Sequence, residues 1–189
     1  LDVYSIGQDE NHLRRLGLLG ELAVALEQDQ MEIYYQPKMD LRTGHVRQAE
    51  VLVRWIHPVR GMSGPDEFIT LAEQAGLIGQ LTHLVLRKVI CQVRQWISMG
   101  VDVAVSVNVS ALDLSEEGFT ERVMELLREH GVQPSRLTLE MTESTVIRDV
   151  NLAREVMRRL RDSGVHFSID DFGTGYSSLA QLRSLPLHE

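Results

Sequence analysis

Glu50, Asn108, Glu140 and Asp170 each sit at an alternate position of a short apolar run, and each carries an oxygen donor. In residues 101–109, Val101, Val103, Val105, Val107 and Val109 alternate with Asp102, Ala104, Ser106 and Asn108. In residues 136–142, Leu137, Leu139 and Met141 oppose Thr138 and Glu140, and in residues 165–170 Phe167 and Ile169 oppose Ser168 and Asp170. Successive side chains leave a strand on opposite faces, so the apolar set meets one layer and the polar set the other. By the same parity Glu50 and Arg54 share a face with Gln48 and Leu52, and Gln36 shares one with Tyr34. These strands are expected to turn Gln36, Glu50, Arg54, Asn108, Glu140, Asp170 and the adjacent Asp171 toward one mouth.

A single Glu in a strand is ordinarily a paired structural residue. Several strands presenting acceptors at the same end are better explained by a shared task. A set of Glu, Asn, Glu and Asp suits hard cations such as Mg²⁺ or Mn²⁺, whereas zinc favours His and Cys. None of the seven His residues shows a compact ligand spacing, and His57, just before Pro58, reads as a loop residue near the mouth. The chain has no GxSxG elbow, no GxxxxGK[ST] loop and no GxGxxG opening a helix, which removes hydrolase-triad, P-loop and Rossmann chemistries. Gly173-Thr174-Gly175 reads as a flexible loop after a strand rather than a phosphate cradle.

The elements that carry these residues follow from periodicity. Asn11 can cap a helix over 11–29, with Leu13, Leu16, Leu19, Leu22 and Leu26 recurring every three or four positions. Runs Met31–Met39 and Val46–Trp55 flank a turn at residues 40–44 and can pair as a hairpin. A short helix follows Gly64-Pro65 through Ala75, and a longer one carries Leu81, Leu84, Val85, Val89, Val93 and Trp96 to a stop at Gly100. Then come strand 101–109, helix 116–130, strand 136–142, helix 150–163, strand 165–170 and the start of a helix near Ser177. Strands separated by amphipathic helices imply an α/β fold with a parallel sheet. The polar face at the strands' C-terminal ends favours a closed barrel over an open sheet apolar on both sides.

A length of 189 residues suits one sizeable core. The net charge of −8 argues against holding a nucleic acid polymer, since phosphate backbones are gripped by clustered Lys and Arg. An anionic substrate would need local compensation, which bound divalent cations provide. Cys91 is the one cysteine, so no internal disulfide can form; a reducing compartment is expected, with Cys91 as a small buried hydrophobe. No run approaches the roughly 20 apolar residues of a membrane span, so a cytoplasmic domain without direct membrane insertion is expected. The start at Leu1 rather than Met leaves room for a second expectation, the cytoplasmic part of a membrane-bound sensor.

The motifs Tyr35-Gln36-Pro37, Glu50-Val51-Leu52-Val53-Arg54-Trp55, Asn108-Val109-Ser110, Leu139-Glu140-Met141-Thr142-Glu143-Ser144 and Asp170-Asp171-Phe172-Gly173-Thr174-Gly175-Tyr176 resemble, in order and spacing, the EAL family of cyclic di-GMP phosphodiesterases. The resemblance implies a TIM-like (β/α)8 barrel with an antiparallel first strand, here reaching about five strands, with residues 1–12 a linker and 13–189 the EAL domain. It implies that Glu50, Asn108, Glu140 and Asp170 bind two Mg²⁺ or Mn²⁺ ions, that Asp171 contributes to the second ion and to activating water, and that Gln36 and Arg54 hold the substrate. Glu143 would steady the loop after Asp171 that couples metal binding to dimerisation. It further implies hydrolysis to linear pGpG, a homodimer, and an upstream GGDEF or sensor domain in the same parent chain.

This chain departs from the family signature at Val51, where the family has Ala; the side chain points away from Glu50, so little cost is expected. The family pattern also continues past Glu189 with a sixth strand, a catalytic lysine and a later glutamate, and a full barrel of this type takes about 250 residues. Three functions compete on these residues: a phosphodiesterase, a cyclic di-GMP receptor that no longer cleaves, and a dimerising scaffold. The intact acceptor set favours the first.

Overall fold

The computed structural model describes residues 6–142 and 150–170. Helix α1, Ile6–Glu27, starts earlier than the cap expected at Asn11. Leu22 and Ala25 are its buried contacts, and Asp29 ends the connection in the left-handed region at φ 60°, which Asp tolerates better than most residues.

Strands β1 (Met31–Met39) and β2 (Val46–His57) form the expected antiparallel hairpin. Its turn is held by Asp40, whose Oδ1 accepts the Arg42 and Thr43 N–H groups at 2.8 and 3.3 Å, while Gly44 takes φ 70°. Strand β2 runs two residues longer than its sequence pattern indicates because β3 (Gly61–Ser63) folds back and pairs with Trp55, Ile56 and His57. Here the reading of His57 needs correction. It is a buried strand residue whose Nδ1 accepts the Val59 and Arg60 N–H groups at 3.1 and 3.2 Å, and whose Nε2 lies 3.0 Å from Glu21. It caps the β2–β3 turn.

Helices α2 (Pro65–Gln74) and α3 (Ile78–Ser98) follow, α2 opening on Pro65 with Asp66 and Glu67 in its first turn. Strand β4 is Ala104–Asn108, shorter than the valine alternation suggests. The N–H of Val101 is taken up by the Trp96 carbonyl at 2.9 Å, closing α3, so the strand cannot begin there. The helix expected over 116–130 is present as α5 (Phe119–Glu129), and a short helix not read from the sequence, α4 (Ala111–Ser115), precedes it, the two separated by Gly118 at φ 80°. Ser110 starts α4 through a reciprocal capping box with Asp113. A 3₁₀ turn, Pro134–Arg136, leads into β5 (Leu137–Thr142); α6 (Val150–Asp162) and β6 (His166–Asp170) complete the described chain.

The sheet order is β1-β2-β4-β5-β6, with β3 beside β2; β2, β4, β5 and β6 are mutually parallel. Val105, Val107, Leu137, Leu139, Met141 and Phe167 all point to the helix side and join one core with Leu81, Val85, Val89, Val123, Leu127, Met157 and Leu160. Val51 lies in that core, facing away from Glu50. Cys91 is only half-buried, with its Sγ 3.6 Å from His130 Nε2, and so is not the enclosed hydrophobe expected. Among the described residues no helix is long and apolar enough to cross a membrane.

Candidate active site on the inner sheet face

The parallel strands end together, and parity brings their polar residues onto the face opposite the core. Gln36 stands opposite Glu50, Glu50 opposite Ser106, Asn108 opposite Glu140, Glu140 opposite Ser168, and Thr142 opposite Asp170. Asn108 and Asp170 are exposed at the last positions of β4 and β6, while Glu50 is half-buried and Glu140 buried.

Glu140 is the electrostatic centre of the face. Only 7% of its side chain is exposed, and a carboxylate removed from water requires a partner. Lys38 supplies it: the Nζ donates to Glu140 Oε1 at 2.5 Å and to Ser106 Oγ at 3.1 Å, and lies 3.8 Å from Glu50 Oε2. Sequence reasoning missed Lys38. The available signal was parity, since Lys38 follows Gln36 by two residues and must share its face. The ladder also slips beside it: Lys38 pairs with Gln48 and Met39 with Val46, passing over Arg47. Such a bulge twists the strand locally and re-aims the neighbouring side chain. Below the charged cluster, Gln48 Nε2 donates to Thr138 Oγ1 at 3.3 Å.

Gln36 is exposed on this face. Arg54 is half-buried on the Glu50 face of β2, and its Nη1 donates to the Val53 carbonyl at 2.9 Å rather than to an acid of the cluster. Asp171, Glu143, the Gly173–Tyr176 loop and the helix start near Ser177 lie outside the described residues. Among the described residues no three Asp, Glu, His or Cys side chains converge on one point; what converges is the Glu50–Glu140 pair about a lysine. That arrangement fits a hard divalent cation. The donors are all oxygen, and a cationic group is already held between two of them.

Tyr35 and Asp113, both shifted by burial, belong to the scaffold. Burial pushes the Tyr35 phenol up to about 12; it is on the helix side of β1, edge-on to Trp96 with ring centres 4.8 Å apart. Burial likewise raises Asp113, against the lowering effect of the Ser110 N–H and hydroxyl that its carboxylate accepts at 2.7 and 2.8 Å.

Fold and site together define an arc of a β/α barrel, antiparallel at its first strand, with carboxylates at the strands' C-terminal ends. The chain belongs to the EAL domain family, whose model matches residues 19–189. It is 41% identical over 187 residues to the bifunctional diguanylate cyclase/cyclic di-GMP phosphodiesterase MucR of Pseudomonas aeruginosa, covering 98% of this chain and 27% of that protein. It is 45% identical over 168 residues to the cyclic di-GMP phosphodiesterase NbdA of the same organism, covering 88% of this chain and 22% of NbdA. The chain thus spans about a quarter of the length of such relatives. The solved structure of the MucR phosphodiesterase in its c-di-GMP complex superposes with a TM-score of 0.87 at 42% identity, over 92% of this chain and 70% of that one.

Proposed function

We propose that this chain is the acid-bearing part of a cyclic di-GMP phosphodiesterase that yields linear pGpG. The observation that carries the reading is the Glu50–Glu140 carboxylate pair, set on one sheet face with Asn108 and Asp170 in a chain similar to MucR and NbdA.

In this reading Glu50, Asn108, Glu140 and Asp170 hold two divalent cations, Mg²⁺ or Mn²⁺, with Asp171 completing the second position. Two such ions, when bound, lower the pKa of a water and offset charge on the attacking and leaving oxygens. The chain's own residues do the rest. Gln36 and Arg54 flank Glu50 on β1 and β2 and orient the substrate, Arg54 turning its guanidinium from the Val53 carbonyl to a phosphate that it can grip bidentately. Asp171 takes the proton of the attacking water; one P–O ester bond breaks, the departing ribose oxygen takes up a proton, and the ring opens to a 5′-phosphorylated dinucleotide. Glu143 steadies the loop after Asp171. The chain works as a homodimer behind an upstream GGDEF or sensor domain on the cytoplasmic side, residues 1–12 being the connector.

Turnover of cyclic di-GMP with Mn²⁺ or Mg²⁺ tests the reading, using the chain extended to the length of the MucR domain. Linear pGpG that disappears in Asp170→Ala supports it. Tight nucleotide binding without product would make the protein a receptor.

A further inference from the structure

The net negative chain places the Lys38 ammonium between two inner-face carboxylates, Glu50 and Glu140, and the phosphodiesterase reading gives that ammonium no task. Lys38 reaches them from β1, the hairpin partner of the strand that carries Glu50: it is 102 residues from Glu140 in sequence, yet its Nζ is 2.5 Å from Oε1. Its side chain is 36% exposed, against 7% for Glu140 and 27% for Glu50, so the ammonium has a route to solvent that Glu140 lacks. A bulge at its base and a hydrogen bond to the fully buried Ser106 aim it.

We infer that Lys38 is a positioning residue that serves as a resident counter-cation: it holds Glu50 and Glu140 together in the metal-free protein and competes with the incoming divalent ion for the same oxygens. This inference rests on the metal-binding reading above. Two carboxylates brought together without a cation repel each other and lose hydration, so an apo site needs an internal charge to remain assembled. The same charge must oppose a divalent ion drawing on the same acids. Lys38 therefore stabilises the empty site and weakens the filled one. Its exposed flank lets the ammonium swing aside while the carboxylates stay in place.

The test compares the chain with Lys38→Met and Lys38→Gln, both one atom shorter than lysine and without its charge. Mn²⁺ affinity is measured by titration calorimetry at fixed pH and salt, and the melting temperature is measured in chelator, after circular dichroism has established a native spectrum. Both variants should bind Mn²⁺ about tenfold more tightly, since a unit positive charge within a few ångströms of the ion is removed from a partly buried site. Both should also melt lower in chelator, Lys38→Met more than Lys38→Gln, which can still hydrogen-bond to Glu140.

Lower melting with unchanged or weaker Mn²⁺ affinity would describe a purely structural lysine and overturn the inference, as would an unchanged metal-free melting temperature. Should Lys38→Met fail to fold, the same two readings on Lys38→Gln decide. If the unsubstituted chain takes up no Mn²⁺, the metal-binding reading fails with it, and the comparison in chelator alone decides whether Lys38 holds the acids together.

Discussion

Glu50→Gln and Glu140→Gln remove the same charge from the same cluster, yet the structure assigns them different costs. Glu140 is nearly enclosed and takes a 2.5 Å charge-assisted hydrogen bond from Lys38. Losing one partner of such a contact costs about 2 kcal/mol, the range for hydrogen bonds to charged groups. Glu50 is more exposed and stands 3.8 Å from the same ammonium, beyond hydrogen-bond reach, so its pairing is worth about 0.5 kcal/mol at most. For a domain of this size about 2–4 °C of melting temperature accompanies each kcal/mol, which gives a fall of roughly 4–8 °C for Glu140→Gln and under about 2 °C for Glu50→Gln. Thermal denaturation followed by circular dichroism in chelator reads the difference. Cyclic di-GMP turnover with Mn²⁺ should nevertheless fall by about 10³-fold or more in both, because each loses a charged ligand of the proposed metal pair. Equal destabilisation by the two substitutions would refute the assignment of Glu140 as the buried centre. Full turnover in either would refute its role as a ligand.

Arg54→Ala should weaken cyclic di-GMP binding by about tenfold or more while leaving Mn²⁺ affinity unchanged, since it removes a phosphate contact; calorimetry with nucleotide and with metal separates the two. Asp113 is raised from its ordinary 3.8 by burial, so the folded chain holds that proton more firmly than the unfolded chain does. Its stabilising contribution is complete below the unfolded value and is lost as pH rises through the folded value. The melting temperature of Asp113→Asn should therefore gain on that of the parent as pH climbs from about 4 toward neutrality, and parallel curves would contradict this. Phe167→Ala, which empties a fully buried position behind the acid face, should cost about 3–5 kcal/mol in a denaturant melt. Chelation with EDTA should abolish hydrolysis, and either Mn²⁺ or Mg²⁺ in excess should restore it; turnover that survives the chelator would sink the two-ion reading.

The inner-face placement of Glu50, Asn108, Glu140 and Asp170 was legible in the sequence because strand parity is a local rule with a period of two, and the valine run around Asn108 states it without ambiguity. The hairpin and the parallel βαβ order were legible for the same reason. Where local patterns competed with hydrogen-bond demand, the sequence reading slipped. Val101 belongs to the valine alternation, yet its N–H closes α3. The helix expected over 116–130 formed as Phe119–Glu129, but the short helix before it, started by the Ser110–Asp113 capping box, has too few residues to show a period in the sequence. His57 reads as a loop residue until β3 returns to pair with β2 and its ring is buried as the acceptor for the turn.

The sequence by itself determined which residues carry acid and on which side of each strand they stand. Only the tertiary structure decided which acids share a cation. The contact of Lys38 with Glu140 joins β1 to β5 across two intervening strands, and its length depends on the register of each ladder and on the bulge that passes over Arg47. Side-chain direction is a property of neighbours in the chain, whereas charge pairing is set by distance in space, and that distance exists only once the sheet has assembled.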